Sequence, residues 1–144
     1  MGNFCARFCT EQDWRAWLWA GFAAFVISLF LPSLGGMAGT TFGWEALYIS
    51  MISLSGGLPP DAMSLWFVSA AFANITLAVL PLLLIYKPTF SGTSALLAAI
   101  FCVAVTASFF IDGPKDLLLG YYVWVTSALF TLLGTICAAH AKSD

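Results

Sequence analysis

The chain has 144 residues, 61% of them hydrophobic and 8% charged, against about 45–50% and about 25% in ordinary soluble domains. That length allows a single domain over 1–144, and a mean hydropathy of +0.95 with 16% aromatic residues excludes a typical soluble fold. A formal charge of −2 leaves no basic surface for a phosphate backbone, so nucleic acid is not an expected partner and the lipid bilayer is.

A membrane helix needs about 20 mainly apolar residues to cross about 30 Å of hydrocarbon, and four stretches qualify. The first, about 16–31, follows Arg15, gathers Trp14, Trp17 and Trp19 at its start as interfacial anchors, and ends at Pro32. Glu11 and Asp13 occupy what would be the positive region of a signal peptide and no A-x-A pattern follows, so a retained helix is expected. The connection after it is rich in Gly35, Gly36, Gly39 and Gly43 and reads as flexible. Residues 44–58 are apolar but interrupted by Ser50, Ser53, Ser55, Gly56 and Gly57, which predicts a short interfacial helix rather than a span; a fifth span is the alternative.

The second span, about 62–86, begins behind Leu58-Pro59-Pro60-Asp61, with Asp61 as a helix cap, and carries Pro81, expected to kink it. The third, about 94–111, lies between a turn-like 88–93 and Asp112-Gly113-Pro114. The fourth, about 117–139, opens with Tyr121, Tyr122 and Trp124 and ends before His140 and Lys142. These runs are too long and uniformly apolar for barrel strands, so the fold class is all-α: an antiparallel four-helix transmembrane bundle. Arg7, Arg15, Lys87 and Lys142 fall on one side of a four-span chain and only Lys115 on the other, which predicts both termini in the cytoplasm.

Helices in lipid associate through small residues that permit close approach. Stripes at four-residue spacing occur in every span, at Ala16, Ala20, Ala24 and Ser28; at Ala70, Asn74 and Ala78; at Ser94, Ala98, Cys102 and Thr106; and at Ser127, Thr131, Thr135 and Ala139. Ala20, Ala24, Asn74, Ala98 and Thr131 are the expected packing positions. Asn74 is the most polar side chain deep in a span. It reads first as an interhelical hydrogen bond and second as a substrate or ion contact, while its Asn74-Ile75-Thr76 sequon lies midspan, out of reach of glycosylation.

No Asp, Glu, Lys, Arg or His lies within these spans, which removes most support for proton-coupled transport. Small multidrug transporters depend on a membrane-embedded acid that this chain lacks. His140 alone cannot supply paired haem ligands or a histidine-rich metal site, so no metal or cofactor is expected. Quinone-linked disulfide oxidoreductases need reactive cysteines on the oxidising face. Cys5 and Cys9 precede the first span on the expected inner side, and Cys102 and Cys137 lie within spans. Cys5-x-x-x-Cys9 is half a metal site at most, and Met1-Gly2 lacks the Ser or Thr that a myristoylation motif wants, since Ala6 stands there.

Trp44 and Glu45, with Asp61, Asp112, Tyr121, Tyr122 and Trp124 at the same level, form an expected acidic, aromatic partner-binding cap. The tryptophan and paired-cysteine signature of claudin-like proteins is absent. Gly43-Trp44-Glu45 and Gly120-Tyr121-Tyr122-Val123-Trp124 resemble a pattern in small four-span bacterial inner-membrane proteins that lack an assigned function, a resemblance that implies topology. The expected function is non-enzymatic: an accessory subunit, assembly factor or immunity-type partner of another membrane protein, or a self-associating chain. The alternatives are a small transporter or channel lined by Ser, Thr and Asn74, and a membrane enzyme using Glu45, Asp61 and Asp112.

Overall fold

A computed structural model describes residues 11–36, 39–55, 62–90, 92–112 and 117–141. Within them the order is α1 (Glu11–Phe30), β1 (Pro32–Gly36), β2 (Gly39–Phe42), α2 (Gly43–Leu54), α3 (Ala62–Tyr86), a 3-10 turn (Pro88–Phe90), α4 (Thr93–Asp112) and α5 (Leu119–His140). The class is all-α with one small hairpin. Two helices, α3 over Phe67–Tyr86 and α5, are long and apolar enough to cross a membrane, and Thr93–Phe109 in α4 is a shorter apolar helix. They support a membrane location. Asp13, Arg15 and the early tryptophans dilute the apolar character of α1, whose helix starts five residues before the apolar stretch at 16.

The expected flexible connection after α1 is instead an antiparallel hairpin, with Leu34 opposite Thr41, Gly35 opposite Thr40 and Gly36 opposite Gly39. Thr40, Thr41 and Phe42 suit a strand, Pro32 stands at a strand start where no ladder donor is needed, and Gly39 takes a φ of +112° that only glycine adopts without strain. The following helix, α2, has 12 residues. At 1.5 Å per residue it reaches about 18 Å, short of a bilayer core. Pro81 lies buried inside α3, which continues past it to Tyr86.

Two buried clusters fix the arrangement. Trp14 and Leu18 of α1 meet Leu80 and Leu84 of α3, Ala95 and Ala99 of α4, and Cys137 and Ala138 of α5. Further along, Phe25 meets Ala73, Leu77, Cys102, Val105 and Ala128. Residue numbers rise along α1 and α4 while they fall along α3 and α5, so successive long helices are antiparallel. The most extensive pairing joins α1 to α5. There a Cβ on Gly21 would sit 2.7 Å from Thr131 Oγ1, and one on Gly134 would sit 2.7 Å from Leu18 Cδ2. Absent side chains at these two glycines are what allow the helices to meet so closely.

The four-residue stripes match the buried positions in α5 and at Ala70 and Asn74 of α3, and miss them in α1. Four residues turn a helix about 400°, so such a stripe drifts about 40° per step and moves off a narrow face within a few turns. In α1 the buried positions are Trp14, Leu18, Gly21, Phe25 and Ser28, with Ala16 exposed and Ala20 and Ala24 half-buried at the flank. In α4 Ala95, Ala99 and Cys102 are buried and Ala98 is half-buried. In α5 Ser127, Thr131 and Thr135 are fully buried.

Candidate functional site

The hairpin end of the bundle is organised by the turn that leaves α1. The Gly43 N–H donates to the Leu31 carbonyl at 3.0 Å. A Cβ on Gly43 would run into the Ser28 carbonyl oxygen, and one on Gly120 would lie 2.8 Å from the Leu31 oxygen and 2.9 Å from the Pro32 oxygen. The glycines that open the two sequence motifs therefore rest against the same few residues. Leu118 N–H donates to the Ser33 carbonyl at 3.0 Å, and Leu34 bridges Leu117, so the hairpin is stitched to the start of α5.

Between these elements lies a cavity of about 60 Å³. Phe67, Phe109, Tyr121 and Trp124 supply its aromatic walls, and Ser28, Ser33, Ser50 and Asn74 its polar ones. Phe109 and Trp124 meet edge to face, with ring centroids 5.9 Å apart. Most of the hydroxyl protons are already committed: Ser28 Oγ donates to Phe25 O at 2.6 Å, Ser50 Oγ to Ala46 O at 2.7 Å, and Tyr121 OH to Thr106 O. The Trp124 indole N–H is buried with no acceptor among the described residues. Asn74 is 7% exposed. Among the described residues, none that lines the cavity carries a charge.

The aromatic residues expected to share one outer surface divide. Tyr121 is 3% exposed and Trp124 half-buried, both as cavity walls, because the Gly120 contact turns this side of α5 inward. Tyr122, the next residue round the helix, is exposed, as are Trp44 and Tyr48 on α2. Glu45 is half-buried, and its Oε2 accepts the Phe42 N–H at 2.8 Å, holding the first turn of α2. Asp112 ends α4; Asp61, Cys5 and Cys9 lie outside the described residues, as do Lys115 and Asp116. Cys102 is a free, buried thiol with Sγ 3.6 Å from Ala73 O, whereas Cys137 is disulfide-bonded.

Sequence reasoning did not single out Gly21, Gly134, Ser50 or Phe109 for these places. Interior glycines in long apolar helices were the available signal for the first two. Comparisons with protein-family models, curated proteins and solved structures return no match.

Proposed function

We propose that this chain is a non-enzymatic four-span membrane protein that acts by binding another membrane protein, as an accessory subunit, assembly factor or immunity-type partner, in a bacterial inner membrane with both termini cytoplasmic. The observation that carries the reading is the outward face of α2. Trp44 and Tyr48, four residues apart on one helix face, are 52% and 63% exposed. Gly43 and Glu45 meanwhile fix the helix that presents them. Rigid aromatic side chains on a held element are the usual anchors of protein contacts. Asp13, Arg15 and the exposed Trp19 of α1 fit an interfacial helix end, which leaves its apolar remainder and the apolar run of α4 as the further spans, while Trp14 is buried in the bundle rather than facing the interface.

The alternative, a small transporter or channel, draws on Asn74 beside the cavity. Against it, Ser127, Thr131 and Thr135 are fully buried in helix packing, so this stripe of α5 lines no hydrated lumen within one chain.

Gentle detergent purification with identification of co-purifying chains tests the reading. Trp44→Ala with Tyr48→Ala is expected to lose a specific membrane-protein partner while the protein still inserts and elutes as a folded species. Specific flux through the purified protein alone in liposomes, reduced by Asn74→Leu, would favour the transporter instead.

A further inference from the structure

We propose that α2 is set into the hydrocarbon of one leaflet as a half-membrane helix, with lipid acyl chains covering its outward face. The first support is depth. Lys87 follows the last residue of α3, and counting back about 30 Å of hydrocarbon at about 1.5 Å per residue reaches Phe67, where the spanning run of this helix begins. Asn74 then lies about 10 Å below that level. On α5, whose spanning run is Leu119–His140, Trp124 lies about 7.5 Å in from the start. Ala46 and Ser50 of α2 border the same cavity as Asn74 and Trp124, so α2 rests at the depth of the spanning runs.

The second support is polarity, which is inverted. A helix lying on a membrane turns a charged face to water and its apolar face to the lipid beneath. In α2 the buried residues are Ser50 and Ser53, while Tyr48, Ile49 and Leu54 are exposed. Glu45 is the only charged residue from 43 to 54, and it stands in the first turn beside Gly43, which packs on Ser28 and Leu29 near the end of α1. The serine hydroxyls need no water: Ser50, Ser53 and Ser55 donate to the Ala46, Ile49 and Ile52 carbonyls at 2.7, 2.9 and 2.7 Å. In hydrocarbon every polar group needs such an internal partner. Phe72 and Ile75 of the neighbouring α3, level with Asn74, are exposed as well, and an apolar surface shared by two elements at this depth is what lipid covers.

The inference rests on the membrane location in the reading above and not on partner capture, which co-purification reads separately. A partner meeting Trp44 and Tyr48 would do so inside the leaflet, as an apolar span replacing lipid. The test places spin labels at Tyr48→Cys and, separately, Leu54→Cys, in a background without native cysteines, with the purified chain alone in phosphatidylcholine nanodiscs. Collision with oxygen, which concentrates in hydrocarbon, is compared with collision with a neutral nickel chelate, which stays in water. Val79→Cys, exposed on α3 about 18 Å past Phe67, is the hydrocarbon reference, and Thr40→Cys, exposed on the hairpin, the water reference. Both α2 labels are expected to favour oxygen, as at Val79 and opposite to Thr40. With the native cysteines kept, the fluorescence lost in Trp44→Phe should be the part quenched by phosphatidylcholine brominated on its acyl chains and spared by aqueous iodide. Nickel contact exceeding oxygen contact at both α2 labels, or iodide quenching of Trp44, would put the face in water and overturn the proposal. Exclusion of both reagents would overturn it too, since a second copy of the chain would then cover the face. Val79 favouring nickel would remove the membrane location itself, and this proposal with it.

Discussion

Gly21 on α1 and Thr131 on α5 meet so closely that a methyl group at position 21 would lie 2.7 Å from Thr131 Oγ1 and 3.1 Å from its backbone nitrogen. Gly21→Ala is therefore expected to destabilise the bundle by about 1–3 kcal/mol. Thr131→Ala removes the nearest atom, so Gly21→Ala should do less damage in that background. Ala24→Leu and Ala98→Leu, at half-buried positions, should be milder than Gly21→Ala. Thermal unfolding in detergent checks all four, and a neutral Gly21→Ala would remove the close-approach argument.

Gly43 and Gly120 make the corresponding test at the hairpin end. Their Cβ atoms would meet backbone carbonyls of residues 28–32, which yield less readily than side-chain tips. Either alanine variant should lower stability by about 1–3 kcal/mol and increase hydrogen exchange across 32–46, leaving the far cluster around Leu18 and Leu84 protected.

Glu45 holds α2 through one exposed hydrogen bond. Glu45→Ala should cost about 1 kcal/mol or less, the low end for a helix cap, with faster amide exchange confined to the first turn of α2. If Glu45 instead contacts a partner, Glu45→Ala will cut co-purification without that local loosening.

The proposed four-span topology predicts that Thr41→Cys and Ser143→Cys, each in a background without native cysteines, label from opposite sides of the membrane. Labelling from one side would make the span count odd.

Much of the helical framework was legible because apolar runs bounded by Pro, Gly and charge report helix length directly. The 62–86 stretch and α3 coincide, and 94–111 and 117–139 differ from α4 and α5 by one or two residues at each end. The hairpin was not legible: its glycines read as flexibility, and only the pairing of Thr40 and Thr41 with Gly35 and Leu34 gives them a conformation. The packed face of α1 was hidden for a different reason. Alanines at every fourth position catch the eye, but burial goes to whichever residues the neighbours leave room for, here Leu18 and Gly21. Tyr121 and Tyr122 show the limit most simply. Adjacent residues point about 100° apart on a helix, and sequence alone does not say which of the two faces inward.

The pairing of α1 with α5 also sets an order of events during synthesis. Gly21 and Thr131 are 110 positions apart, and at about 5–20 residues per second the ribosome takes on the order of 5 to 20 seconds to deliver one after the other. For that interval the first helix stands without its main neighbour, its Gly21 notch open. Only the arrival of the last helix closes the bundle, so a nascent chain interrupted before α5 leaves the Gly21 face of α1 uncovered and open to pairing with another copy.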